Sequence, residues 1–296
     1  MFKKFWRSQQ GGSILLMLLA TGTFATLDTA SKHVVTMVPV MMLLWFRYAF
    51  QAAFTFAMRS RKEGFRLFIT PNPRLQITRG CLGLFSSGCA LYSLQHMPVA
   101  EFTSIAMLSP MMATALAAVT LKNHVSKRRW LLMAVGFSGV LLVVRPGGQV
   151  FGWGLVFPVM MITAYAGFQI ITSLLSGEEN PYTTHFYTGL AGGVGLLPLV
   201  MFVWDSSALL QHWPWFVLVG LGSTFGHLML IRAYNRASPV ELAPYTYTQL
   251  AFATLAGAIA FSQTPDALAW LGIAVIAASG VGNALVTIEE SGIKRQ

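Results

Sequence analysis

Long apolar runs separated by short polar connections organise this chain. Ten such runs, over residues 12–31, 38–58, 75–95, 99–121, 129–145, 152–174, 182–204, 213–234, 239–262 and 267–288, are near the length of roughly 20 residues that a helix needs to cross a hydrocarbon core of about 30 Å. The pattern predicts ten membrane-spanning helices joined by short loops, with no room for a soluble domain. The first run follows a basic start (Lys3, Lys4, Arg7) and continues from Gly12 to Ala30 without a small-residue cleavage site. It is expected to be a retained span and not a cleaved signal.

Charge adds a direction. Of the 20 lysines and arginines, 17 fall on alternate ends and connections. These are the N-terminus, the loop after segment two (Arg59, Arg61, Lys62, Arg66, Arg74, Arg79), the loop after segment four (Lys122, Lys127, Arg128, Arg129), Arg232 and Arg236 after segment eight, and Lys294 and Arg295 at the end. Lys and Arg stay preferentially on the cytoplasmic side during insertion, so these connections are assigned inside and both termini are expected to be cytoplasmic. The connection after segment six carries Glu178 and Glu179 and no cation, so it lacks this support. Lys32 and Arg145 lie on the other set, and Arg47 lies within segment two.

Composition agrees with a membrane protein. Of the 296 residues, 55% are hydrophobic and 10% charged, against roughly 25% charged in soluble domains. The net charge of +10 is accounted for by topology signals, and no basic soluble surface remains for nucleic acid. Cys81 and Cys89 stand about 12 Å apart along one helix, too far for a disulfide, and are assigned to packing.

An internal repeat is also visible. M-P-V-A-E from Met97 leads into a segment containing Pro110, then V-S-K-R-R-W and a helix with G-F-S-G. S-P-V-E-L from Ser238 leads into a segment containing Pro244, then P-D-A-L-A-W and a helix with A-S-G. Aligning Pro98 with Pro239 sets segment four on nine and five on ten. Five is an odd number, so the second copy enters from the opposite side, as in the inverted repeats of secondary transporters. The expected fold class is all-α integral membrane, with residues 1–146 and 147–296 as two five-helix inverted repeats.

These residues resemble the drug/metabolite transporter superfamily, in its ten-span EamA-like branch, over nearly the whole chain. The resemblance is carried by Asp28-x-x-x-Lys32, F-R-Y at Phe46 to Tyr48, M-P-V-A at Met97 to Ala100, V-S-K-R-R-W at Val125 to Trp130, G-F-S-G-V at Gly136 to Val140 and R-P-G at Arg145 to Gly147. It implies a carrier of amino acids, nucleotide-like metabolites or other small organic molecules. Members often carry a Glu before the last span of each half. Here Asn123 and Gln263 stand there.

Arg47 is the sharpest candidate. It lies about 13 Å into segment two at 1.5 Å per residue, near mid-membrane, where an arginine costs roughly 2.5–3.5 kcal/mol on insertion scales. It is either a fixed cation for a substrate carboxylate or phosphate, or half of a structural ion pair with Asp28 or Glu101. Asp28 and Lys32 share a helix face at i, i+4 spacing. They form a structural pair, or one that substrate or a proton breaks. Glu101 and Glu241 begin segments four and nine. Each is a favourable carboxylate at a helix N-terminus or, with Asp28, a coupling group. His227 is a satisfied interior histidine or a substrate contact. His33, His96, His124, His185 and His212 are assigned to the interfaces. Tyr92, Tyr165, Gln169, Tyr245, Tyr247 and Gln249 need partners inside a bilayer. They line a binding site or make helix–helix contacts. No metal-ligand spacing occurs, so neither metal nor cofactor is expected.

The residues thus predict an inner-membrane secondary transporter, not an enzyme, with an anionic or zwitterionic small-molecule substrate and alternating access. A membrane-embedded lipid flippase or enzyme is the alternative.

Overall fold

The computed structural model describes residues 9–120, 125–144, 155–175, 178–237, 242 and 245–293. Among them the chain is helical and contains no strand. The helices are α1 (Gln9–Val34), α2 (Val40–Glu63), α3 (Pro73–His96), α4 (Val99–Ala106), α5 (Ser109–Thr120), α6 (Lys127–Val144), α7 (Val156–Leu175), α8 (Pro181–Gly195), α9 (Leu197–Val200), α10 (Ser206–Tyr234), α11 (Thr248–Phe261) and α12 (Ala267–Ile293). Gly12–Val34, Val40–Lys62 and Ser206–Tyr234 are long and apolar enough to cross a membrane by length and composition.

Segments four and seven depart from the continuous helices expected of them. Segment four breaks between Ala106 and Ser109, and segment seven between Gly195 and Leu197. Proline explains both. Its ring clashes with the carbonyl four residues earlier and it donates no hydrogen bond. For Pro110 that carbonyl belongs to Ala106, and for Pro198 to Val194. The non-helical backbone at His212 (φ −115°, ψ 16°), just before Pro214 in α10, has the same origin. Pro158 sits in the first turn of α7, where proline is tolerated, and leaves that helix whole. Pro244 lies outside the described residues.

The main packing partners are α6 with α12, α1 with α10, α3 with α7, α2 with α8, α1 with α11, α5 with α7, α3 with α8, α2 with α10, and α4 with α11. Small residues set the closest of these approaches. A Cβ on Gly139 of α6 would lie 2.9 Å from the Gly272 carbonyl oxygen of α12, and one on Gly272 would lie 2.6 Å from that of Gly139. Two glycine pairs at i, i+4 spacing also permit close approach. Gly189 and Gly193 seat α8 on Ala52 and Ala49 of α2, and Gly222 and Gly226 seat α10 on Leu27 and Phe24 of α1. Between α1, α10 and α11 runs an apolar groove of about 700 Å³, walled by residues such as Leu19, Leu27, Leu221, Phe225, Phe252 and Ile259.

Candidate functional site

Polar side chains gather inside the bundle where α1, α2, α3, α7, α8 and α10 meet. Arg47, in the second turn of α2, is only 6% exposed. Its Nε is enclosed and meets no hydrogen-bond acceptor among the described residues. Asp28 of α1 lies close enough for its charge to act on Arg47. Gln249 of α11 donates from Nε2 to Asp28 Oδ2 at 3.4 Å. Arg47, Asp28 and Gln249, singled out separately in the sequence, are therefore brought together.

The Asp28–Lys32 pair is not formed. Lys32 turns to the end of α3 and donates from Nζ to the carbonyls of Leu94 (3.0 Å) and Met97 (2.6 Å). The last carbonyls of a helix have no intrahelical partner and attract a cation, so Lys32 caps another helix while Asp28 turns to Gln249. The ammonium also lies 5.8 Å from the Phe261 ring centroid and feels the charge of Glu101 in the first turn of α4.

A second buried arginine corrects the sequence reading more sharply. Arg79 was expected among the loop cations, but it lies inside α3 and is 1% exposed. Nε donates to Thr172 Oγ1 at 2.7 Å. Nη1 donates to the Thr184 carbonyl at 3.2 Å and to Thr188 Oγ1. The guanidinium carbon sits 4.1 Å from the Phe168 ring centroid. No carboxylate among the described residues accepts from it.

His185 is likewise internal and not interfacial. It is fully buried, with Nδ1 2.8 Å from Thr55 Oγ1 and Nε2 3.1 Å from the Thr224 carbonyl. A carbonyl only accepts, so Nε2 carries the proton. Gln51 donates to the His185 carbonyl at 2.9 Å. His227 donates from Nδ1 to the Ser223 carbonyl at 2.9 Å and meets the Phe24 ring edge-on at 5.0 Å.

The tyrosines divide. Tyr165 stacks on Phe168 at 5.5 Å, pairs with Gln169, and lies within electrostatic reach of both Arg79 and Asp28. Tyr48, which the sequence reading did not select, is 6% exposed, bonds Ser87 at 2.9 Å and feels both Arg47 and Arg79. Tyr247 packs on α12 so closely that a Cβ on Gly280 would overlap its ring. Tyr245 packs with the Ile14, Met17 and Leu230 cluster. Tyr92 is 41% exposed, against His96 and Phe157, and takes no part in the arginine network. Glu241 falls outside the described residues.

The sequence profile of the EamA-like transporter family matches this chain twice, over residues 11–145 and 152–284. The chain belongs to the EamA-like transporter family. Among its relatives, the S-adenosylmethionine uptake transporter of Rickettsia prowazekii is 25% identical over 255 residues, 86% of this chain and 85% of that one. The pseudopaline exporter CntI of Pseudomonas aeruginosa is 25% identical over 257 residues, 86% and 89% of the two chains. The riboflavin transporter of Rhizobium johnstonii is 27% identical over 270 residues, 88% and 87%. A solved crystal structure, 16% identical, superposes with a TM-score of 0.64 over 93% of this chain and 96% of its own, which shows the fold alone. In this EamA-like transporter the expected membrane class and transporter family are met. The buried residues the sequence reading missed carried one available signal. The stretch Tyr182 to Thr188 places Thr183, Thr184, His185 and Thr188 within one short helix, and all four are buried. That is a polar helix face that lipid would not accept.

Proposed function

We propose that this protein is an alternating-access carrier of small organic metabolites that bear an anionic or zwitterionic group, held at Arg47. The proposal includes ten spans in two inverted repeats, residues 1–146 and 147–296, in a bacterial-type inner membrane with both termini cytoplasmic. Support for the repeats comes from the packing order and from the double family match. Moving each segment number by five exchanges α1·α10 with α3·α7, α1·α11 with α5·α7, and α3·α8 with α2·α10. It returns α6·α12, α2·α8 and α4·α11 to themselves. The relatives are named for both uptake and export, so membership of the family carries no direction of transport.

The observation that carries the binding assignment is the enclosed Arg47 Nε, which has no acceptor among the described residues, beside Asp28 and Gln249. A buried donor left unmade costs about 1–3 kcal/mol, more when charged. A substrate carboxylate or phosphate would remove that cost with a two-oxygen contact that only guanidinium geometry provides. Asp28 and Gln249 stand ready for the ammonium of a zwitterion.

The test begins with thermal unfolding of the purified protein against amino acids, nucleotides, organic acids, riboflavin and S-adenosylmethionine. A ligand at about 100 times its Kd stabilises the state it binds by about 2.7 kcal/mol. Arg47→Ala should erase the shift and transport in proteoliposomes while the protein stays folded, and Arg47→Lys should restore only part. Undiminished transport by Arg47→Ala would end the assignment.

A further inference from the structure

Arg79 is a charge that no hydrogen-bond partner among the described residues balances. A guanidinium has five N–H donors. In Arg79 three of them are spent on Thr172, Thr188 and the Thr184 carbonyl, all neutral acceptors. The two on Nη2 meet no acceptor among the described residues. The Phe168 ring covers one face. Taking a cation out of water without a counter-charge is expensive, and neutral hydroxyls answer only part of that cost.

Arg79 also belongs to the same interior as Arg47. Tyr48 and His227 each feel both arginines, and Tyr165 feels Arg79 and Asp28. Among the described residues linked in this way, two guanidiniums stand against one carboxylate, that of Asp28, which leaves one positive charge over when the histidines are neutral. The threonines of α7 and α8 hold Nε and Nη1, so the guanidinium is fixed in orientation and Nη2 is the nitrogen left over.

From this we infer that Arg79 is a second anion-binding subsite, and that the substrate is a small organic molecule with two acidic groups and one basic group. Arg47 takes one acid, Arg79 the other, and Asp28 the ammonium, so that a ligand of one net negative charge neutralises the interior. The inference rests on the reading of this interior as the substrate site.

The test uses purified full-length protein and calorimetric titration with three pairs that differ by one acidic group: L-glutamate and L-glutamine, L-aspartate and L-asparagine, O-phospho-L-serine and L-serine. In at least one pair the acidic member should bind about tenfold more tightly, the size of one charge-assisted hydrogen bond. In Arg79→Gln that advantage should fall to within about twofold while the neutral member binds as before. If no pair shows the advantage in the native protein, or if it survives in Arg79→Gln, the subsite is refuted. Where Arg79→Gln does not fold, Arg79→Lys serves instead. An ammonium cannot hold both threonines and present a second nitrogen, so a loss of about threefold or more supports the subsite and full retention overturns it. Arg47→Ala separates the two readings. It should weaken both members of a pair equally. If both bind it normally, Arg47 is not the shared site, and the ratio within a pair still decides Arg79.

Discussion

Lys32 and Arg79 each satisfy a helix other than their own. Lys32 closes the C-terminus of α3 through two carbonyls, so Lys32→Met should leave those acceptors unmade. The expected cost is about 1–3 kcal/mol, read as a lower melting temperature in detergent with α3 length unchanged. At the exposed N-terminus of α10, Asp205 accepts from Ser207 Oγ, the Ser207 backbone and the Ala208 backbone. The Ser207 hydroxyl and the Ala208 amide hold its carboxyl below the usual carboxylate range. A depressed folded-state pKa means that the cap contributes above the unfolded value of 3.8 and is lost as pH falls through the folded value. Amide exchange at Ser207 and Ala208 should therefore rise, relative to the intrinsic rate, below about pH 4, and Asp205→Asn should flatten that dependence. These partnerships also explain what was legible beforehand. Arg47 stood out because depth in an apolar run is a local property. Arg79 did not, because it follows a basic connection by a few residues and its threonine partners are 93 to 109 positions away. Asp28 and Lys32 looked like a pair by spacing, but spacing does not show that unsatisfied carbonyls on α3 compete for the ammonium.

Helix ends and close approaches were unequally readable. Proline named the positions where segments four and seven divide, but continuous hydrophobicity hid the breaks. Glycine at helical spacing marks a close-approach face on α8 and on α10, but not that α2 and α1 are the helices seated there. The pairing of α6 on α12 depends on Gly139 and Gly272 meeting across distant sequence. Gly139→Ala would bring its Cβ against the Gly272 carbonyl and Ile276. Backbone cannot give way as a flexible side chain does, so the helices must separate, at an expected cost of about 1–3 kcal/mol. A matching exposed change on the same helix, Phe137→Leu, should leave the melting temperature almost unaltered.

For the molecule as a whole, the expectation of an all-helical membrane carrier family follows from run length, charge placement and resemblance. The arrangement of its interior does not, since it depends on six helices converging. The proposed topology has its own test. With Cys81 and Cys89 replaced by Ser, cysteines at Thr36 and Thr264 should react with a membrane-impermeant maleimide in intact cells. Cysteines at Ser126 and Asn235 should react only once the cytoplasmic face is opened. The reverse pattern would invert the orientation, and a mixture on one side would break the two-repeat arrangement. The groove between α1, α10 and α11 bears on handling the protein outside its membrane. Its hydroxyls, Thr23 and Thr26, are tied back to the Leu19 and Gly22 carbonyls of their own helix, so the wall offers mainly hydrocarbon. Surfactant tails too short to fill it would leave α1 poorly supported on the side away from Asp28. Kinetic lifetime in solution should therefore lengthen with surfactant chain length, and the gain should shrink when Ala256→Phe fills the groove from within.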